Sequence, residues 1–323
     1  MNAPARGGRV EVVYLVAAAA CWGIGTVISK QAVAELPPLT LLVMQLASSV
    51  VFLAVLGRAG APNTSPRTAE RRILARLGLL NPGLAYALSL AGLSQITASL
   101  AVLLWATEPI LILALASLVL GERLGLRVIV PTAIALGGLS LVVFDPAASG
   151  STLGVALTVA GVVACAIYSV AVRRILPGAA DSTFEVVSGQ QRHALVLAVL
   201  VLAGVGIAGG AVAPANPSAF GLVSAVGSGL LYYSVAYLLY LSAVRRMPVS
   251  VAAASFFLIP IFGVAGGLLA GERLEPIQWL GAVVVVAAVA FITTRRVGAG
   301  ADQLSRAAPS AQMANAPSAS SRR

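Results

Sequence analysis

Ten runs of apolar residues, each about as long as a lipid bilayer is thick, divide this chain almost from end to end. They fall at 12–34, 38–56, 73–91, 98–120, 127–144, 152–175, 185–209, 219–242, 248–270 and 276–294, separated by charged or Pro/Gly-rich breaks. A helix of roughly 20 residues crosses a hydrocarbon core of about 30 Å. Only helices and closed barrels satisfy their backbone groups in lipid, and runs this continuous are not the alternating strands of a barrel. The sequence therefore predicts an all-α polytopic membrane protein with ten transmembrane helices. Composition argues the same way: 59% of the 323 residues are apolar and 10% charged, against about 45–50% and about 25% in a soluble domain. Too few charges remain to wet the surface of a soluble enzyme, and the chain is too apolar for disorder.

The net charge of +10 would suggest a nucleic-acid partner if the basic residues clustered on one face. They do not; 20 of the 21 are arginines, mostly in the short breaks between runs. With the N-terminus inside, 18 of the 21 fall in inside segments, leaving only Lys30, Arg192 and Arg273 elsewhere. That asymmetry follows the positive-inside rule. The expected partners are the lipid bilayer and a small-molecule substrate, with no nucleic acid. Residues 1–11 and the Ala/Ser/Pro-rich tail 297–323 are expected in the cytoplasm, the tail disordered. Arg6 and Arg9 precede an apolar run that reaches Cys21, as in a lipoprotein signal, but the run continues through Ile28 and reads as an uncleaved first span. Cys21 and Cys165 both lie in apolar runs and suggest no disulfide framework.

The sequence echoes itself at an offset of about 150 residues. Gly121-Glu122-Arg123-Leu124 returns as Gly271-Glu272-Arg273-Leu274, each after an apolar run interrupted by proline, at Glu108-Pro109 and Ile259-Pro260. Cys21 and Lys30 are matched by Cys165 and Arg174, 144 residues on. Five runs per copy, an odd number, place the copies in opposite orientations. The expected organisation is a first five-helix repeat at 12–144, a periplasmic linker at 145–151 and a second, inverted repeat at 152–296, around a central cavity.

Ten spans in two halves, Trp22-Gly23 in the first span with Lys30 at its end, and a proline-containing fourth span running into Gly-Glu-Arg resemble the drug/metabolite transporter superfamily, EamA type. The resemblance covers residues 10–296. It implies a bacterial-type inner-membrane exporter of amino acids, metabolites or drugs, and the aromatic placement is most similar to the aromatic amino-acid exporters. One departure is Ala166, which stands in the second copy where the first has Trp22, so the two halves are not expected to bind substrate symmetrically.

Glu108 is the acid deepest inside a run, and an ionisable residue at such depth is a candidate functional group. It reads either as a proton site or amine anchor, or as a protonated carboxyl bonded to Thr107 or nearby backbone. Pro109 is expected to free the carbonyl of Trp105 and, with Pro260, to act as a hinge. Gln190, Arg192 and His193 lie in the bilayer if the seventh span starts at 185, or at the cytoplasmic mouth if it starts at Ala194. Hydropathy favours the mouth, whereas matching Gln190 to Gln45 favours depth. Trp22, Tyr86, Trp105, Tyr168, Tyr232 and Tyr233 sit within spans rather than in interfacial belts, and Phe256 precedes Pro260 by one turn. Together they are the candidate substrate-binding set, suited to flat or apolar solutes. Small residues at Gly161, Cys165 and Ser169, and at Gly263 and Gly267, mark close helix contacts.

A single histidine excludes sites that need two, and no nucleotide-binding loop or nucleophile elbow occurs. The chain reads as a transporter, not an enzyme, without cofactor or metal, monomeric, working by alternating access and with protons as a candidate coupling ion. A drug or other metabolite exporter of the same fold and a non-transporting sensor or assembly subunit are the alternatives.

Overall fold

The computed structural model describes residues 7–33, 35–59, 69–93, 95–96, 104–105, 107–121, 125–142, 151–179, 181–212, 216–269, 276–277 and 279–291. Most of these are helical, with no strand among them. We label the helices α1 (Gly7–Val33), α2 (Pro38–Ala59), α3 (Ala69–Gly92), α4 (Glu108–Leu120), α5 (Leu126–Val142), α6 (Thr152–Ile175), α7 (Thr183–Ile207), α8 (Ala219–Val244), α9 (residues 249–269) and α10 (Trp279–Phe291). Six of them, α1, α2, α3, α6, α7 and α8, are long and apolar enough to cross a membrane. Shorter apolar stretches of 10–17 residues stand at Glu108–Leu120, Val128–Leu141, Val251–Gly263 and Trp279–Phe291. Each apolar run of the sequence carries one of these helices. The remainder of both Gly-Glu-Arg-Leu motifs (122–124 and 271–274), the linker positions 145–150, residues 1–6, the tail 297–323 and the side chain of Lys30 lie outside the described residues.

Helix ends follow local chemistry. Ser151, Ser182 and Ser218 cap α6, α7 and α8, each hydroxyl accepting a backbone N–H three residues on, and Glu185 completes a capping box by accepting from Ser182 N at 2.9 Å. Gly121 closes α4 in the left-handed conformation, φ 66°, where a β-carbon would be strained. α1 starts at Gly7, ahead of the expected position 12. Its first turns hold Glu11, buried and paired with Arg246 at 3.2 Å, so the charge does not end the helix.

The helices pack in matching pairs. α1 packs on α8 and α9, and α6 packs on α3 and α4; α2 packs on α7 and α8, and α7 packs on α2 and α3; α4 and α9 meet each other. Small residues set the distances. A β-carbon at Gly23 would lie 2.5 Å from the Ile259 carbonyl oxygen, so this glycine lets the α9 backbone approach α1 while neighbouring Trp22 turns into the core. Gly161 on α6 packs against Ala85 and Ser89 of α3. Both α3 and α8 loosen to π-helical winding midway, at Leu79–Leu84 and Leu230–Val235. In α3 this stretch holds Asn81 in extended backbone (φ −146°, ψ 121°) followed by a cis Asn81–Pro82 bond.

Pro109 and Pro260 each follow closely on a break in helical winding, at Thr107 and at Ser255–Phe257. Regular α4 opens at Glu108, and the second segment of α9 opens at Leu258 after a tight turn at Ser255–Phe257, so both prolines fall in a first turn. A missing N–H there breaks no helical bond.

Candidate functional site

The two loosened stretches and the middle of α1 bring aromatic side chains from both halves of the chain into one buried cluster. Trp22 is its hub, edge-on to Tyr240 and Phe256 at 5.5 Å between ring centroids, to Tyr237 at 5.8 Å and to Tyr232 at 6.5 Å. Tyr86 of α3 joins from the other side, at 5.6 Å from Tyr233, 5.7 Å from Tyr232 and 5.8 Å from Trp105. Tyr168 of α6 reaches Tyr237 at 6.4 Å. Perpendicular contacts set the positive edge of one ring on the negative face of the next.

Several polar tips in the cluster have partners. Trp22 Nε1 donates to the Tyr232 carbonyl at 3.1 Å, Tyr237 Oη to Asn81 Oδ1 at 3.0 Å, Tyr168 Oη to Gln190 Oε1 at 2.8 Å and Tyr240 Oη to Ser169 Oγ at 3.3 Å. Buried hydroxyls in a membrane domain need such partners, and these bonds hold the rings at fixed angles.

Glu108, the first residue of α4, is buried beside this cluster, close enough to Cys165, Tyr232 and Tyr240 to interact with them electrostatically. No described residue hydrogen-bonds its carboxyl. Thr107 does not reach it, because its hydroxyl donates to the Leu104 carbonyl at 2.6 Å.

Gln190 is fully buried and bridges two helices, accepting from Tyr168 and donating through Nε2 to the Leu74 carbonyl at 3.1 Å. Its match Gln45 does the same in the first half, donating to Ser29 Oγ at 2.8 Å and Ser228 Oγ at 2.9 Å. Arg192 and His193 are not brought to the cluster. Arg192 is exposed, its Nε donating to the Ser188 carbonyl at 3.0 Å, and His193 Nδ1 lies 2.8 Å from the Gly189 carbonyl on its own helix. Two residues along a helix are about 200° of rotation, which separates the inward Gln190 from the outward Arg192.

The candidate set thus divides. Trp22, Tyr86, Trp105, Tyr168, Tyr232, Tyr233 and Phe256 come together, with Glu108 and Gln190 at their margin. Tyr237, Tyr240 and Asn81 belong with them although the sequence reading did not single them out. Tyr233, Tyr237 and Tyr240 recur at helical spacing on one face, and Asn81 is a lone amide before proline in an apolar run, so both signals are present in the sequence. An apolar groove of about 550 Å³ lies elsewhere, between α5 and α10, where Leu126, Val130, Ile134 and Phe291 line it. Among the described residues no group of three or more His, Cys, Asp or Glu could hold a metal ion.

The arginine-rich helix ends form a second polar region. Arg71 at the start of α3 bridges the halves, Nε at 3.5 Å from Asp181 and Nη2 at 3.2 Å from Glu185. Arg173 Nη1 donates to the carbonyls of Val244 and Arg245 at 2.9 and 3.2 Å, and Arg245 donates to the carbonyl of Asp181. Partial burial lowers the pKa of Arg245, and Asp181 beside it opposes that. At the opposite end Glu35 accepts from the backbone N–H and hydroxyl of Ser218, at 2.6 and 2.9 Å.

Comparison with known proteins gives the family. The EamA-like transporter family matches residues 9–144 and, a second time, residues 152–294. The chain belongs to that family, a multi-pass membrane transporter of small metabolites built from two copies of one unit. A solved crystal structure of a protein matches with a TM-score of 0.73 at 18% identity, over 88% of this chain and 98% of that one, a likeness of fold alone. No curated protein matches the sequence significantly.

Proposed function

We propose that this protein exports neutral amino acids, aromatic ones foremost, or related small metabolites across a bacterial-type inner membrane, by alternating access. The observation that carries the proposal is the aromatic cluster around Trp22, which draws rings from α1, α3, α6, α8 and α9, so that any relative movement of the two halves opens or closes it. Ring faces suit planar or apolar side chains, and Glu108 beside them suits an amine or a proton.

The helix pairings support ten spans in two inverted five-helix repeats. α1–α9 corresponds to α6–α4 and α1–α8 to α6–α3, while α2–α7 and α4–α9 map onto themselves. Pairs that map onto themselves are what a twofold axis produces, and such an axis lying in the membrane plane puts the solute site at mid-depth between the repeats. The arginine count favours both termini in the cytoplasm. Of the glutamine–histidine segment, Gln190 belongs to the site as a positioning residue, whereas Arg192 and His193 stay outside it.

Purified protein in proteoliposomes, loaded with unlabelled solute and challenged with a radiolabelled panel of amino acids and metabolites, tests this. Counterflow of an aromatic or neutral amino acid is expected. Absence of flux across the whole panel overturns the exporter reading and favours a sensor or assembly role.

A further inference from the structure

Eight buried side-chain polar atoms lack a hydrogen-bond partner among the described residues, and five of them belong to one region. They are Asp181 Oδ2, Arg245 Nε, Ser188 Oγ and both amide atoms of Gln191. Asp181 and Arg245 stand at the arginine-rich entrance to α7, joined by a bond from the Arg245 guanidinium to the Asp181 carbonyl. Ser188 and Gln191 follow along the helix, three residues apart and therefore on one face. Phe184, one turn before Ser188, lies against Gly57, so this face is turned to α2. Gln191 is about 12 Å along the axis from the first residue of α7, and its side chain is fully buried.

A primary amide can make four hydrogen bonds, and one buried with none is a marked exception. Packing does not demand it. By the match of Gln190 to Gln45, the counterpart of Gln191 in the first half is Leu46, also fully buried. A leucine fills the equivalent space, so the amide at 191 answers to something other than the described side chains. Arg71 links the first half to Asp181 and Glu185 in the second, at the start of the same helix.

We propose that Ser188 and Gln191 line the cytoplasmic half of the solute path, where they bind water and the hydrogen-bonding part of the solute, and that the Arg71–Asp181–Glu185 bridge shuts its mouth in the conformation described. The proposal rests on the transporter reading but is tested apart from it. On a background with Cys21 and Cys165 replaced by alanine, Ser188→Cys and Gln191→Cys are exposed in inside-out vesicles to a charged, membrane-impermeant thiol reagent. The control is Leu200→Cys, 63% exposed on the same helix and facing outward. Both reporters are expected to react at least tenfold faster than the control, and faster again when Arg71→Gln is added. Reactivity equal to the control for both, with and without Arg71→Gln, overturns the proposal. No transported solute is needed, so an exporter panel that shows no flux leaves this result readable. Slower labelling in the presence of a transported amino acid supports solute binding at the site, whereas an unchanged rate overturns the solute-binding part of the proposal. Gln191→Leu provides an independent reading. Unchanged or higher thermal stability with flux reduced at least tenfold supports the path, whereas a fall in melting temperature with flux per folded molecule unchanged makes the amide structural and overturns it.

Discussion

Gly78 of α3 lies against the backbone of Gln190 of α7 so closely that a β-carbon at position 78 would overlap the Gln190 carbonyl and stand 2.5 Å from its α-carbon. The matching contact joins Gly229 of α8 to Gln45 of α2, where a β-carbon would stand 2.6 Å from the carbonyl oxygen and 2.7 Å from the α-carbon. In both places the glycine adjoins a π-helical stretch and the glutamine side chain ties its helix to two others. A third helix of one half is thereby keyed to a second helix of the other.

Gly78→Ala and Gly229→Ala are each expected to destabilise the protein by about 1–3 kcal/mol, the usual range for overpacking a filled interior. Gly137, where an added methyl group would meet nothing within 4 Å, is the control, and Gly137→Ala is expected to be neutral or slightly stabilising. Gly121→Ala meets no atom either, but its φ of 66° costs about 1 kcal/mol. Thermal unfolding in detergent micelles ranks all four.

The bond from Tyr237 to Asn81 connects α8, just past its loosened stretch, to the loosened part of α3. A double-mutant cycle with Tyr237→Phe and Asn81→Ala is expected to give a coupling of about 0.6 kcal/mol and no more than about 1.7, the range measured for hydrogen bonds between membrane helices. Each single variant is also expected to lower transport of aromatic solutes. A coupling indistinguishable from zero would mean the two groups do not meet in the functional state.

Helix positions are legible because apolar runs of bilayer length have few other ways to fold, and the duplication is legible because Gly-Glu-Arg and the proline positions recur. Facing is harder to read. In a membrane span the lipid side and the core side are both apolar, so Val199 and Leu200, which face outward, look no different in sequence from the buried Leu42 and Leu46. The few polar residues decide facing, and neighbours on a helix can point in opposed directions, as Gln191 and Arg192 do. Pro109, a proline within a long apolar run, sits in the opening turn of α4, after the helical residues 104 and 105 and the turn at Thr107.

Arg71 and Asp181 should not respond equally to removal. Asp181 is 2% exposed and Arg71 25%. Removing the arginine leaves Asp181 and Glu185 with one cation fewer in a partly desolvated place, whereas removing the aspartate leaves Arg71 its Glu185 contact and access to solvent. Loss of one partner from a buried pair costs about 3–5 kcal/mol, and from an exposed pair about 0–1. Arg71→Ala is therefore expected to lower the melting temperature more than Asp181→Ala, with both effects shrinking in the double variant. The opposite order would place the stabilising contacts of Asp181 elsewhere.

Glu108 and Arg192 separate two accounts of how charge serves transport. Arg192 is outward-facing and bonded to its own helix, so Arg192→Gln is expected to change KM by less than about twofold, well under 1 kcal/mol. Glu108 is buried beside the rings without a described partner, so it can take up or release a proton without breaking a hydrogen bond to them. Glu108→Gln keeps the shape and removes the ionisation. If protons drive export through this carboxyl, wild-type uptake into vesicles rises with an imposed pH gradient, while the variant retains exchange down a solute gradient and ignores the pH gradient. A variant that follows the pH gradient as the wild type does removes Glu108 from proton coupling and leaves it an amine anchor, which a rise in KM for amino acids over their deaminated analogues would then reveal.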